Sequence, residues 1–393
     1  MEQEGQHRTI RAEDVAVMGI TEILRHIPRI VRAYRTLVAD IQKNRPDVAI
    51  LIDFPDVNFR LAKHLRLAGV PVLWFVSPQL WAWKRSRLRW VQQRVSKMFV
   101  IFPFEQPFYA ARNVDAHYTG HPLADLPKPS IPREQYAQAA HQIHQDQWNH
   151  SDGLFQSSPL PEWAKPVDGQ IRYALDPAKE WIALLPGSRR GEIAQHLQPM
   201  VGAAKLLGNQ YEYLVPLAPT ISQEQLHDMQ YQVASQLDRP NPPRITFVHD
   251  ARSALHHARA SVVASGTATV QAALIGNPFV VVYRVSKLTF RLAKRLIRYP
   301  AEIATPADHH GNLPIAMPNI IAGRRIVPEL LQDECNSPNI AATLKPLLED
   351  SPARSQQIES LNELAFHLKL DPQRSAIHHL RDAVLQALQH TAP

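Results

Sequence analysis

Short apolar runs recur along the chain at residues 48–52, 70–76, 97–101, 181–185, 213–216, 245–248, 260–264 and 278–283, with helical patterns between most of them. A strand that is apolar on both faces must be covered on both faces, so this alternation predicts parallel sheets built from βαβ units. At 393 residues the chain exceeds what one hydrophobic core supports, and two doubly wound domains are expected. The pattern breaks between Lys128 and Ile171, where His, Gln, Ser and Pro concentrate, and that stretch reads as a surface insertion or linker. The expected division is residues 1–170, residues 171–364 and a helical closure over 365–393.

Composition narrows the classes of function. The opening residues are polar and lack the apolar segment of a signal peptide, and no later apolar run is long enough to span a bilayer, so a cytoplasmic protein is expected. The single cysteine, Cys335, excludes an intramolecular disulfide and any site of several thiolates. The formal net charge of +7 favours anionic partners. Lys84, Arg85, Arg87, Arg89 and Arg94 follow Trp81 and Trp83, a mixture also found in nucleic-acid binders, but no such signature accompanies it and no nucleic-acid partner is expected. His309-His310 and the other histidines show no metal-ligand spacing, so neither a metal nor a cofactor is expected.

Three stretches carry candidate chemistry. Ile50-Leu51-Ile52-Asp53-Phe54-Pro55-Asp56 puts two carboxylates at the C-terminal end of an apolar strand, where open α/β sheets bind ligands. Pro186-Gly187-Ser188-Arg189 follows a strand and opens a helix, and a small-residue turn of this kind presents free N–H groups to an anion beside an arginine fork. Ser265-Gly266-Thr267-Ala268 does the same within a complete βαβ unit. Each also fits an ordinary strand–turn–helix junction. Residues 284–299 place Lys287, Arg291, Lys294, Arg295 and Arg298 on one helical face and Val285, Leu288, Leu292 and Leu296 on another; such a helix lies on anionic lipid, borders a phosphate site or is simply solvated.

Taken together and in order, Ala16-Val17-Met18-Gly19, Ile52-Asp53-Phe54-Pro55-Asp56-Val57-Asn58, Val76-Ser77-Pro78-Gln79-Leu80-Trp81-Ala82-Trp83, Phe102-Pro103-Phe104-Glu105, Gly120-His121-Pro122, Leu185-Pro186-Gly187-Ser188-Arg189, Ala264-Ser265-Gly266-Thr267-Ala268, Met317-Pro318-Asn319-Ile320-Ile321-Ala322-Gly323 and Val327-Pro328-Glu329-Leu330-Leu331-Gln332 resemble the lipid-A-disaccharide synthase family. The resemblance runs from Val15 to about Leu364 and implies a GT-B fold, two Rossmann-like domains facing a cleft, with the acceptor in the first and a UDP-sugar in the second. It implies transfer of 2,3-diacylglucosamine from UDP-2,3-diacylglucosamine to 2,3-diacylglucosamine 1-phosphate. It further implies peripheral association with the inner membrane and a homodimer.

The same resemblance implies that Asp53 is the catalytic base or its orienting group, supported by Asp56, and that Arg189 neutralises the departing diphosphate with Gly266, Thr267 and Asn319. Asn58, Ser77, Trp81, Gly187, Ser188, Ser265, Ala268, Gln271, Arg284, Glu329 and Gln332 complete the substrate-binding set. Gln271 stands where the family has an acidic residue expected to accept from the donor ribose. The family's first strand and its Ser-Gly-Glu-x-Ser-Gly-Asp loop have no counterpart here, so an incomplete N-terminal domain and a poorly active chain are expected. Residues 128–171 and 300–314 are longer than the family's usual connections. Another UDP-sugar enzyme of this fold, such as a peptidoglycan glucosaminyltransferase or an epimerase, and a non-catalytic UDP- or membrane-binding remnant are the alternatives.

Overall fold

The computed structural model describes residues 20–140, 175–237 and 242–391. The chain divides into two compact units, one running through Pro122 with Arg298–Glu302 and the chain from Leu370, the other comprising Leu123–Ile297 and Ile303–Lys369. This division falls at Pro122, whereas the sequence pattern predicts one near residue 170. Packing supplies the reason: Tyr136, Ala137 and Ala140 are buried with Trp181, Leu214 and Val248. The Arg133 guanidinium lies 3.7 Å over the Trp181 ring and donates to the carbonyls of Pro177, Lys179 and His257. The first part of the supposed insertion is therefore core of the second unit, and the rest of it, residues 141–171, lies outside the described residues.

In the first unit β1 (Ala49–Ile52), β2 (Val72–Phe75), β3 (Lys97–Val100) and β4 (Ala116–Tyr118) form a parallel sheet in the order β1-β2-β3-β4. α1 (Ile20–Lys43) precedes it, and α2 (Pro55–Leu67), α3 (Leu88–Arg94) and α4 (Glu105–Ala110) are the crossovers. All four residues of β2 are buried, as an internal parallel strand requires, and Phe59, Leu61, Ala62 and Leu65 of α2 are buried as well.

The second unit has six parallel strands, β5 (Glu180–Leu185), β6 (Tyr211–Pro216), β7 (Arg244–Val248), β8 (Ala260–Ala264), β9 (Phe279–Tyr283) and β10 (Glu329–Leu331), in the order β10-β9-β8-β5-β6-β7. Its helices are α5 (Arg190–Leu207), α6 (Gln223–Gln236), α7 (Ala251–His257), α8 (Thr267–Ile275), α9 (Lys287–Leu296), α10 (Met317–Ala322), α11 (Ser337–Leu348) and α12 (Pro352–Leu368). Ile182, Leu184, Leu197, Val201, Val215, Val262 and Leu344 belong to one continuous core. Each such side chain contributes roughly 1.5–3 kcal/mol by leaving water. From β5 the chain winds outward through β6 and β7, then returns to β8 and winds the other way. β5 and β8 are thus hydrogen-bonded neighbours at which the strand order reverses.

Candidate functional site

That reversal is where a doubly wound sheet opens a crevice for ligands at its carboxyl edge. The two turns singled out in the sequence, Pro186-Gly187-Ser188-Arg189 after β5 and Ser265-Gly266-Thr267 after β8, leave the sheet at this point. How their helices begin distinguishes them from the rest of the unit. Ser222, Asp250, Ser286, Asn336 and Ser351 cap α6, α7, α9, α11 and α12 with side-chain oxygens. No side chain of the N-cap residue caps α5, α8 or α10.

Acidic side chains serve two of the three uncapped starts. Glu192 reaches back over the α5 start: its Oε2 accepts from the Ser188 N–H at 3.2 Å and its Oε1 pairs with Arg189 at 2.8 Å. Gly187 sits at φ +117°, and a Cβ there would lie 2.6 Å from Glu192 Oε2, so the turn demands glycine on two counts. Near α10, Glu329 accepts from the N–H groups of Ile315 and Ala316. Among the described residues the α8 start has no such occupant. Gly266 and Thr267 are exposed, and a Cβ on Gly266, at φ +151°, would meet nothing within 4 Å. Ser265 turns its hydroxyl to the Ile315 carbonyl, which fixes the turn without filling it. Gln271 is half-buried on the same helix.

A buried histidine ties this region together. His196 of α5 is 1% exposed, accepts the Arg284 N–H on Nε2 at 2.9 Å and so donates from Nδ1 to the Pro186 carbonyl at 3.0 Å. Burial lowers its pKa, which favours this neutral tautomer. Nothing in the sequence pattern marks this role, since a lone histidine within an apolar helix carries no motif.

Several residues expected to touch ligand are spent on the protein itself. The Asn319 amide is fully buried; Nδ2 donates to the Val327 carbonyl and Glu329, and Oδ1 accepts from Ile326 and Val327. Glu329 also pairs with Arg325 at 3.0 Å. Gln332, at φ +52°, accepts from the Val285 N–H and donates to its carbonyl, extending the β9 edge. The polar atoms of Asn319, Glu329 and Gln332, which the family resemblance assigns to substrate, are thus matched to the backbone or to a neighbour.

In the first unit Asp53 stands exposed just after β1, at φ +43° and followed by Phe54 at φ +45°. Asn58 of α2 donates to the carbonyls of Ile52 and Asp53 at 3.1 and 2.7 Å, and the Asp53 N–H donates to Phe75. Consecutive left-handed residues without glycine are costly, and a surrounding network that holds them is a recurrent mark of functional turns. Asp56 does not share Asp53's surroundings by hydrogen bond; its carboxylate pairs with Arg87 at 2.6 Å.

The loop after β2 is organised around Glu105, which is 1% exposed. Its carboxylate accepts from Ser77 Oγ, Trp81 Nε1 and the N–H groups of Ile101 and Phe102. Burial pushes its pKa up to about 7 even against those four bonds. Ser77 and Trp81, which the family resemblance assigns to substrate, are buried and bonded to Glu105, and so shape the loop. Trp83, 48% exposed with Lys84 Nζ 4.2 Å from its ring centre, is the aromatic surface the loop offers to solvent. A separate cavity in this unit is lined by Lys97, Phe99, His117, His379 and Asp382 among others, and includes none of the candidate residues.

Among the described residues no helix is long and apolar enough to cross a membrane. α9 buries none of its residues, and Leu288, Leu292 and Leu296 are 74%, 55% and 59% exposed.

Comparison with known proteins places these features in context. The family model for lipid-A-disaccharide synthetase matches residues 1–149 and 163–383. Lipid-A-disaccharide synthase of Acidobacterium capsulatum is 46% identical over 398 residues, spanning 100% of this chain and 88% of the relative. That of Koribacter versatilis is 42% identical, over 92% and 81%. Among solved structures, a UDP-GlcNAc 2-epimerase from Neisseria meningitidis bound to UDP-GlcNAc has a TM-score of 0.51 at 11% identity, covering 94% of this chain and 84% of its own. A Staphylococcus aureus MnaA–UDP complex gives 0.51 at 12%, covering 90% and 80%. At such identities the structural likeness speaks for the fold alone.

Proposed function

Because this chain belongs to the lipid-A-disaccharide synthase family and is a UDP-sugar glycosyltransferase of the GT-B fold, we propose that its two substrates are UDP-2,3-diacylglucosamine and 2,3-diacylglucosamine 1-phosphate. The products are then UDP and a β(1→6)-linked tetraacyl disaccharide 1-phosphate. The observation that carries the donor side is the open start of α8 beside the reversal of strand order. There, unpaired N–H groups and the helix dipole suit a diphosphate. The two UDP-bound structures of similar fold are in keeping with this.

Charge develops on the diphosphate as the glycosidic bond to UDP breaks. Arg189 is assigned to meet it by leaving Glu192, an exchange that is inexpensive because the Arg189 side chain is 59% exposed and its pairing is screened by solvent. His196 keeps the Pro186 turn and the Arg284 backbone in fixed register during that exchange. Asp53 is assigned as the base that takes the proton from the acceptor 6-hydroxyl, and its rigid turn reduces the cost of orienting it. No metal has a part in this scheme.

Both substrates are anionic lipids. The exposed leucine stripe of α9, flanked by Lys287, Arg291 and Arg295, supports docking on an anionic membrane surface. Disaccharide formation from the two lipid substrates, followed by mass spectrometry, tests the reading. Asp53→Asn is expected to lower turnover by about 100-fold or more while UDP still binds. Unchanged turnover would remove Asp53 from the chemistry.

A further inference from the structure

The proposed reaction uses neither His309 nor His310, adjacent residues of the 308–312 turn. That turn is held independently of the imidazoles. Asp308 accepts from the N–H groups of His310 and Asn312 at 2.9 and 2.7 Å, and its other oxygen accepts from Asn312 Nδ2. Lys294 of α9 donates to the His310 carbonyl and to Asn312 Oδ1. Gly311, at φ +69°, closes the turn by donating to the Asp308 carbonyl. Facing this turn is Glu334, on the short 3₁₀ helix Gln332–Glu334 just after β10, whose carbonyl accepts from Asn336 and Asn339.

Across this frame the side chains of His309, His310 and Glu334 converge, each offering a ligand atom within 4.8 Å of the others. His310 Nε2 is 3.3 Å from Glu334 Oε1, and the two imidazole centres are 3.8 Å apart. Ligands around a tetrahedral zinc ion at about 2.0–2.2 Å stand roughly 3.4 Å from one another. One pair already has this spacing, and the third atom needs a shift of about 1 Å, which exposed imidazoles reach by side-chain rotation. Two imidazoles and one carboxylate suit zinc and its first-row neighbours. They do not suit magnesium or calcium, which take oxygen ligands.

We propose that His309, His310 and Glu334 bind one divalent ion of the zinc class, leaving a fourth position to water. The ion is a clip, distinct from the diphosphate site, that joins the 308–312 turn to the end of β10. Its reach is set by hydrogen bonds: Asn312 accepts from Arg325, Arg325 pairs with Glu329, and Glu329 holds the N–H groups of Ile315 and Ala316 at the entry to α10. The sequence alone could not show this, because Glu334 lies 24 positions beyond His310 and only the return of the chain past β10 brings it across.

Competition of the whole purified chain against a chromophoric zinc indicator tests the proposal, with Zn²⁺ alone as the probe. The wild type is expected to take up one equivalent that a large excess of Mg²⁺ does not displace. His309→Ala, His310→Ala and Glu334→Gln should each weaken that equivalent by at least about tenfold, with melting temperatures measured without metal unchanged. If the wild type binds no zinc, or if the variants bind it with unaltered stoichiometry and affinity, the proposal fails.

Discussion

The Ser77 hydroxyl donates to Glu105 Oε1 over 2.6 Å with both side chains buried, and this bond links the loop after β2 to the start of α4. The carboxylate's four described partners, two side chains and two backbone N–H groups, are all neutral dipoles, and burial outweighs them and lifts the pKa to about 7. His121 is displaced in the opposite direction, to about 4, by its own burial.

These two groups give opposed pH dependences. Between the ordinary carboxyl pKa and about 7, folded Glu105 holds a proton that the unfolded chain has released, so its contribution falls as pH rises, by on the order of 3 kcal/mol. Between about 4 and the ordinary imidazole pKa, the unfolded chain holds the proton that folded His121 lacks, so that contribution rises with pH. Glu105→Gln is expected to expose the His121 slope: melting temperature should climb from about pH 4.5 to 6.5 in the variant. The wild type should climb less steeply there and then fall relative to the variant toward about pH 7.5. Parallel profiles for the two proteins would show that Glu105 does not titrate in this range.

Membrane docking separates into two contributions on α9. Replacing Leu288 and Leu292 by Ser removes apolar area worth roughly 1.5–3 kcal/mol each when buried in lipid, and the loss should be insensitive to salt. Replacing Lys287 and Arg291 by Gln removes about 1 kcal/mol each near an anionic surface, a loss that should vanish at high salt. Sedimentation with vesicles of anionic and of neutral lipid reads both. Undiminished binding in both pairs would assign the helix to solvent.

Asn319→Ala distinguishes a structural amide from a ligand contact. Two buried N–H groups, the Val327 carbonyl and Glu329 would lose their partner, a cost of roughly 3 kcal/mol or more. The melting temperature should drop while UDP affinity of the folded protein holds. A variant of normal stability and weakened UDP binding would return Asn319 to the diphosphate.

The strands that the sequence reveals are the apolar runs, most of them buried on both faces, with β1 an edge strand that leaves Ile50 and Ile52 exposed. β4, with His117 and Tyr118, and β10, which opens on Glu329, escaped because each is three residues long, sits at a sheet edge and carries polar side chains. The candidate turns were legible for a related reason: Gly187 and Gly266 at strand ends, and Asp53 before a proline-started helix, are local signals. What the sequence could not reveal is the direction a polar side chain faces. Asn319 and Gln332 lie where the motifs put them, yet their partners are the backbones of Val327 and Val285, which only the packed sheet brings near. Glu105 and His196 went unassigned for the same cause.

In the proposed reaction the diphosphate binds at the reversal of strand order, with Arg189 released from Glu192. UDP titrated calorimetrically into the wild type, Arg189→Lys, Glu192→Gln and Asp53→Asn tests this most directly. Lysine keeps the charge and loses the two-pronged grip, so Arg189→Lys should bind UDP about tenfold more weakly. Glu192→Gln, which frees the arginine, should bind at least as tightly as the wild type, and Asp53→Asn should match it. Equal affinity across all four proteins would contradict the assignment and leave Pro186-Gly187-Ser188-Arg189 an ordinary junction between a strand and a helix.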